Sequence, residues 1–201
     1  MIGVVNYGLG NVVAFENIIN NFNVDFCTVN TPIDFNRCSK IILPGVGSFD
    51  EAIKQLKKKN LFKKLDETVM SKKKPILGIC VGMQIMFNES EEGIEKGFGW
   101  IPGKVKKFKF NNSILPHMGW NDLIKIKKNN LFDNIDELSY YFLHSYYVEP
   151  NNENNINAHS NYCHDFPACV KKNNVYGVQF HPEKSHDSGL QLLKNFVIKC
   201  R

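Results

Sequence analysis

The chain has 201 residues and a formal net charge of +5, with 43% hydrophobic and 22% charged residues, values typical of one globular domain with a substantial core. No apolar run approaches the roughly 20 residues of a membrane-spanning helix, and the start MIGVVNYGLGN lacks the basic leader of a secretory signal. The lysines lie in short runs without a nucleic-acid-binding signature, so we expect a soluble cytoplasmic protein that binds neither membrane nor nucleic acid.

Short apolar runs alternate with amphipathic stretches in the first half of the chain, which is typical of an α/β fold with a parallel sheet. Strands are predicted at residues 2–5, 24–29, 40–43 and 75–79. Helices are predicted at residues 11–22, 50–70 and 82–87.

After about residue 98 the predicted strands follow one another without long helices between them. They cover residues 104–110, 122–126, 140–143, 168–171 and 175–180, and a last helix covers 188–198. The Asn-rich segment 151–157 is predicted to be a surface loop. The whole pattern predicts one domain over residues 1–201, with a mixed, mainly parallel sheet flanked by helices and an antiparallel C-terminal portion.

One of the six cysteines stands in a distinctive setting. Residues 75–84, PILGICVGMQ, read as a strand, a sharp turn with glycine on each side of Cys80, and the start of a helix. This G-x-C-x-G pattern is typical of a nucleophile elbow, and the N–H of Val81 could then donate to an oxyanion. A buried structural cysteine is the alternative. The other cysteines form no C-x-x-C pair, so we expect neither a zinc site nor a disulfide framework.

A base for such a nucleophile is present near the end of the chain, in VQFHPEKS at residues 178–185. His181 follows an apolar strand, and imidazole serves both as base and as acid near neutral pH. Pro182 stiffens the turn, and Glu183 is placed to accept a hydrogen bond from the ring. A lone histidine at a strand end is more often an ordinary surface or cap residue, and most of the other five histidines are given that interpretation.

Together, GICVGMQ and VQFHPEKS resemble the motifs of the class I, triad-type glutamine amidotransferases, and the resemblance covers essentially the whole chain. It implies a Cys80–His181–Glu183 triad that hydrolyses glutamine with no metal or organic cofactor. The family's oxyanion strand corresponds to PGVG at residues 44–47, which implies that the N–H groups of Val46 and Val81 bind the oxyanion. The glutamine-binding positions implied by the family are Gly47, Gln84, His144, Ser145 and Tyr146.

Further segments resemble the glutaminase subunits of imidazole glycerol phosphate synthases in histidine biosynthesis. These segments are NYGLGN, PGVGSF, LPHMGWN and LHSYYV. The resemblance implies a heterodimer with a (β/α)8-barrel cyclase subunit, which uses the ammonia to make imidazole glycerol phosphate and AICAR. The positions implied to face this partner are Asn11, Met118, Trp120 and Lys184, although Met118 and Trp120 could equally fill a core.

Three other functions remain open from the sequence. A paralogous glutaminase could supply ammonia to an amidotransferase acting on nucleotide-linked sugars in surface-glycan synthesis. A cysteine peptidase or γ-glutamyl hydrolase could share the fold, although Gln84 and PHMGWN speak against both. A regulator derived from a decayed amidotransferase is disfavoured because Cys80, His181 and Glu183 are all intact. Finally, GLG at residues 8–10 lacks the third glycine of a dinucleotide-binding loop.

Overall fold

The strands and helices follow the predicted order through most of the chain. The structure is a computed structural model that describes residues 1–109 and 114–200, so the end of the strand predicted at 104–110 lies outside the described residues. The strands are β1 (Ile2–Val5), β2 (Phe26–Val29), β3 (Lys40–Leu43), β4 (Ile76–Ile79), β5 (Glu89–Ser90), β6 (Gly103–Lys107), β7 (His117–Asp122), β8 (Ser139–His144), β9 (Tyr146–Pro150), β10 (Ile156–Asn161), β11 (Asp165–Lys172) and β12 (Val175–Val178). The α-helices are α1 (Val12–Asn20), α2 (Phe49–Lys58), α3 (Phe62–Asp66), α4 (Val81–Gln84) and α5 (His186–Lys199).

Seven strands form the main sheet, in the order β10-β11-β12-β4-β3-β1-β2. The strands from β2 to β12 pair in parallel, whereas β12, β11 and β10 pair antiparallel. Every residue of β1, β4 and β12 is buried, as expected for parallel strands covered on both faces. This confirms the predicted mixed sheet with an antiparallel C-terminal portion.

Two smaller sheets lie beside the main sheet and were not predicted. One has the order β5-β6-β9, and the other is the antiparallel pair β7-β8. The strand predicted at 122–126 is wrong: β7 ends at Asp122, and Ile124 forms only an isolated bridge with His159. The loop predicted at 151–157 is wrong at its end, because Ile156 and Asn157 are buried residues of β10.

The long helix predicted at 50–70 is interrupted. Helix α2 stops at Lys58, α3 begins at Phe62, and a π-helical turn follows at Glu67–Ser71. Between the two helices Asn60 has φ 60°, a left-handed conformation that asparagine tolerates better than most residues. The apolar periodicity continues across the break because Leu56, Leu61 and Leu65 are all fully buried, and it therefore conceals the turn.

The carboxyl ends of the parallel strands lie at one edge of the main sheet. Strands β3, β4 and β12 are neighbours there, ending at Leu43, Ile79 and Val178. The chain segments that follow these strands hold the predicted oxyanion loop, nucleophile and base. Loops at the carboxyl ends of neighbouring parallel strands are where open α/β sheets bind ligands.

Candidate active site

Cys80 is the single residue between the end of β4 at Ile79 and the start of α4 at Val81. Its backbone has φ 54° and ψ −115°, a strained conformation for a residue with a side chain, as expected of a nucleophile elbow. The residue is 4% exposed. Its Sγ lies 3.8 Å from the carbonyl oxygen of Leu143 and 3.6 Å from Nε2 of Gln179.

The glycines that flank the elbow allow the backbone to pack closely beneath Cys80. A Cβ on Gly82 would collide with the carbonyl oxygen of Leu43 at the end of β3, and one on Gly78 would collide with the carbonyl of Gly82. Both positions therefore require glycine for space. The predicted helix at 82–87 is shorter than expected, since α4 ends at Gln84.

His181 faces Cys80 from the neighbouring strand end. Its Nδ1 donates to Oε1 of Glu183 over 2.8 Å, and both side chains are nearly inaccessible. Burial of the ring disfavours the imidazolium, but hydrogen bonds and negative charge from Cys80 and Glu183 outweigh burial and raise the pKa of His181 to about 10. An imidazolium beside the sulfur stabilises a thiolate, which is the nucleophilic form of cysteine.

A ring of backbone and hydroxyl hydrogen bonds holds the turn that carries His181. The His181 N–H donates to the Tyr141 carbonyl over 2.8 Å, and the Tyr141 N–H donates to the Ser185 hydroxyl over 3.0 Å. The Ser185 hydroxyl in turn donates to the His181 carbonyl over 2.6 Å. This ring fixes the turn to strand β8, and the contributions of Ser185 and Tyr141 were not predicted.

A cavity of about 240 Å³ opens above Cys80. The predicted glutamine-binding positions and both predicted oxyanion donors line it together with Cys80 and His181, whereas Glu183 lies outside the lining, on the far side of the imidazole. The lining residues are Val46, Gly47, Cys80, Val81, Gln84, Glu92, Pro116, Leu143, His144, Ser145, Tyr146 and His181.

The predicted oxyanion loop, residues 44–47, is anchored from below and exposed above. The Tyr7 hydroxyl donates to the Pro44 carbonyl over 2.8 Å. Burial and the nearby negative charge of Cys80 raise the pKa of Tyr7 above its usual range, so the hydroxyl stays a donor. Val46, by contrast, is 44% exposed, and Gly47 has φ 90° with open space where a Cβ would lie. The anchoring by Tyr7, from the NYGLGN segment, was not predicted.

The segment 144–146 is held by a chain of buried hydrogen bonds. Nε2 of Gln84 donates to the Tyr146 carbonyl over 3.1 Å, and Nδ1 of His144 lies 2.8 Å from the same oxygen. Nδ1 of His117 lies 3.0 Å from Nε2 of His144. Burial lowers the pKa of His117 to about 4 and that of His144 to about 3, so both rings are neutral near pH 7. His117 is therefore a buried structural residue and not the surface histidine that the sequence suggested, whereas His144 is buried and lines the cavity.

Glu92 is a charged residue of the cavity that the sequence reasoning missed. Its Oε2 accepts from the Phe49 N–H over 2.7 Å, at the start of α2. Burial raises the pKa of Glu92, while the Phe49 N–H opposes that shift. A carboxylate in a cavity that already contains hydrogen-bonding groups is suited to bind an ammonium group. The only signal in the sequence is an acid in the ESEE run at residues 89–92, which has no special spacing.

Three of the four predicted partner positions, Met118, Trp120 and Lys184, lie around one face of the β7-β8 pair. Met118 is 66% exposed and Trp120 is 49% exposed, so the alternative that they fill the core is wrong. Met118 pairs with Leu143 across the strands, and Lys184 lies with its Nζ 5.6 Å from the centre of the Tyr141 ring. The Asn11 side chain accepts from the Ala14 N–H and so caps α1, a role that was not predicted.

Within residues 1–109 and 114–200, no three histidine, cysteine or carboxylate side chains form a group suited to a metal ion. In the same described residues, no helix is both long and apolar enough to cross a membrane.

The family to which this chain belongs follows from a sequence comparison. The profile of the family described as Glutamine amidotransferase class-I matches residues 11–200. The chain therefore belongs to the class-I glutamine amidotransferases and is an enzyme of that family, with the fold described above.

Individual proteins of this family are similar to the chain over nearly its whole length. A Leptospira interrogans protein named imidazole glycerol phosphate synthase subunit HisH is 47% identical over 202 residues, covering 98% of this chain and 99% of that protein. A Methanococcus maripaludis protein named imidazole glycerol phosphate synthase subunit HisH 2 is 46% identical over 199 residues, covering 98% of each chain. A crystal structure of a glutamine amidotransferase is similar with a TM-score of 0.76 at 17% identity, covering 98% of this chain and 99% of that one, and shares the fold.

Proposed function

We propose that this chain is the glutaminase subunit of an imidazole glycerol phosphate synthase in histidine biosynthesis. It hydrolyses L-glutamine to glutamate and delivers the ammonia to a (β/α)8-barrel cyclase subunit. The observation that carries the chemistry is the elbow residue Cys80 in contact with a Glu183-bound His181 at the base of a small cavity. The similarity to two proteins named as subunits of this synthase, across nearly their whole length, supports the pathway.

The reaction begins when the Cys80 thiolate attacks the carboxamide carbon of glutamine. The carbonyl oxygen becomes an oxyanion bound by the N–H groups of Val46 and Val81. The His181 imidazolium gives its proton to the leaving nitrogen, ammonia departs, and a γ-glutamyl thioester remains on Cys80. His181 then removes a proton from water, which attacks the thioester; the C–S bond breaks, glutamate leaves, and the Cys80 thiolate and His181 imidazolium are restored.

The cavity suits a free amino acid. Its volume of about 240 Å³ lies below the roughly 300–1,000 Å³ of sites for drug-sized ligands. Gln84 and the backbone of 144–146 bind the glutamine, with Gly47 leaving space at the rim. Glu92 is the carboxylate available to the α-ammonium group. A peptidase would need an open groove for a polypeptide, which disfavours that alternative.

The exposed face beside the cavity is where the cyclase subunit binds. Met118, Trp120 and Leu143 contribute apolar surface there, and the exposed Val46 belongs to the oxyanion loop itself. Methionine and tryptophan are enriched at protein interfaces. A partner on this face covers the mouth of the cavity, so ammonia passes to it without entering solvent.

The test is glutamate release from glutamine by the chain alone and with the imidazole glycerol phosphate cyclase of the same organism and its nucleotide substrate. We expect the cyclase to stimulate release strongly, and Cys80→Ala to abolish it in both settings. Cys163→Ala, which changes a half-buried thiol away from the cavity, is the matched control and should behave as the parent.

The outcomes separate the chemistry from the pathway. Glutamate release that survives Cys80→Ala would overturn the mechanism. Release that depends on Cys80 but ignores the cyclase would overturn the histidine-pathway assignment and point to the amidotransferase that modifies nucleotide-linked sugars.

A further inference from the structure

Gln179 connects the nucleophile to the glutamine pocket, although no step of the mechanism uses it. It follows the last residue of β12, is fully buried, and lies two residues before His181. Its Oε1 accepts from Nε2 of Gln84 over 3.0 Å, and its Nε2 donates to Sγ of Cys80 over 3.6 Å. One amide group therefore contacts both the attacking sulfur and a residue of the substrate cavity.

The direction of these hydrogen bonds is fixed by a backbone carbonyl. The Tyr146 oxygen can only accept, so the amide group of Gln84 that faces it is the NH2 group. The same NH2 group faces Gln179, which must then present its oxygen to Gln84. Nε2 of Gln179 is left to face Cys80, and the opposite orientation would bring two NH2 groups together.

This orientation affects the Cys80 sulfur at one end of the hydrogen-bond chain and the Gln84 amide at the other. An N–H group directed at sulfur stabilises the thiolate more than the thiol. At the other end, Gln84 is held with its NH2 group toward protein, which leaves its carbonyl oxygen for the substrate. The titratable groups that also face Cys80 are His181 and Tyr7.

We propose that Gln179 is a positioning residue that stabilises the Cys80 thiolate and, together with the Tyr146 carbonyl, holds the Gln84 amide in its orientation toward glutamine. The proposal rests on the proposed function for the role of Cys80 and Gln84. Its effect on the sulfur, however, can be measured without glutamine or a partner.

The test is the rate of alkylation of Cys80 by iodoacetamide as a function of pH, measured by mass spectrometry of the peptide that contains Cys80. In Gln179→Met, which keeps the length of the side chain but has no N–H group, the midpoint of the profile should move up by about one pH unit. The KM for glutamine should also rise severalfold, because the Gln84 amide keeps only the Tyr146 carbonyl as an acceptor and is held less firmly. Ser160→Ala, which removes another fully buried hydrogen-bonding side chain from the main sheet, is the matched control and should leave the midpoint unchanged.

A folded Gln179→Met protein, judged by its melting curve, with the parent's alkylation midpoint would overturn the proposal. If Gln179→Met does not fold, Gln179→Glu provides the same test with an almost identical shape, and its carboxylate should raise the midpoint further. A parent chain in which Cys80 reacts with iodoacetamide, but which releases no glutamate from glutamine, would instead count against the proposed function.

Discussion

The two sides of the cavity are built differently. The sheet side, with Cys80, Gln179 and His181, is at most 4% exposed and stands on β4 and β12, which pair residue by residue from Ile76 to Ile79. The rim side, with Val46, Leu143 and the β7-β8 pair, is formed by a loop and a small two-stranded sheet, and several of its side chains are exposed.

We infer from this difference that the sheet side performs the chemical steps and that the rim controls substrate and partner binding. Groups that move protons must keep their distances, and the parallel sheet provides that rigidity. The rim can change its contacts at lower cost, since Val46 and Gly47 have open space around them. Changes on the sheet side should therefore alter kcat with or without a partner. Changes on the rim should alter KM or the effect of the partner.

After the loss of Cys80 itself, the largest effect is expected from Glu183→Gln on the sheet side. The amide keeps the shape but removes the negative charge that helps to raise the pKa of His181. The imidazolium loses stability, and kcat for glutamate release should fall by about a hundredfold with little change in KM. The measurement is steady-state kinetics with and without the cyclase. Glu137→Gln, which changes an exposed carboxylate outside the cavity lining, is the control. A loss confined to KM would contradict the division between the two sides.

The sequence predicted Cys80, His181 and Glu183 on the sheet side because their signals are local, whereas Gln179 was not predicted. The glycines around Cys80 and the proline and acid after His181 each stand within a few residues of the group they serve. The pairing of β4 with β12, which brings the two motifs together, joins residues about 100 positions apart, and only the family resemblance indicated it.

The rim was predicted less well because its strands lack a clear apolar alternation. Strand β7 contains Gly119, with φ 133°, and Asn121, so its pattern resembles a loop and the strand was assigned five residues too late. His117 and His144 form a hydrogen bond with each other across the β7-β8 pair, and no residue near either one in the sequence indicates this contact. Glu92 reaches the cavity because its carboxylate accepts from the Phe49 N–H at the start of α2. The two residues are far apart in the sequence, so this contact has no local signal either.

The next largest effect is expected on the partner face. Trp120→Ala removes an exposed aromatic side chain that stacks on His186, with ring centres 5.0 Å apart. If the cyclase covers this face, its dissociation constant should rise by about thirtyfold, the loss typical of an interface hot spot. Unstimulated glutamate release should stay within about twofold of the parent. Ile33→Ala, an exposed apolar residue beyond the opposite edge strand, is the control, and titration calorimetry gives both constants. An equal rise of the dissociation constant in both variants would contradict the assignment of this face to the cyclase.

A smaller effect is expected from Glu92→Gln at the rim of the pocket. The amide oxygen still accepts from the Phe49 N–H, so α2 keeps its start, but the ion pair with the α-ammonium group is lost. KM for glutamine should rise about tenfold with kcat nearly unchanged. Because burial raises the pKa of Glu92, the parent's KM should also rise as pH falls through that pKa, and this dependence should disappear in the variant. Glu95→Gln, which changes an acid paired with Lys57 outside the cavity, should keep the parent's values.

The smallest effect concerns stability and tests whether the inner face of the β7-β8 pair is as rigid as the sheet side. His117 and His144 have lowered pKa values of about 4 and about 3, so between these values and their ordinary pKa the unfolded chain binds more protons than the folded one. Stability is therefore full above about pH 6.5 and is lost as pH falls, by about 1 kcal/mol per histidine between pH 6.5 and 5.5. Urea unfolding at a series of pH values measures this loss.

The variant His117→Phe isolates one of the two contributions. A phenyl ring can keep the stacking between Phe142 and Tyr162, but it cannot titrate, so the loss between pH 6.5 and 5.5 should shrink by about 1 kcal/mol. The variant also leaves Nε2 of His144 without its donor, so stability at pH 7 should fall by about 1 kcal/mol. Since His144 holds the carbonyl of Tyr146 that orients Gln84, KM for glutamine should rise in the same variant. If KM and the pH slope both stay at the parent's values, the inner face of the β7-β8 pair does not support the pocket, and the rim is independent of the buried histidines.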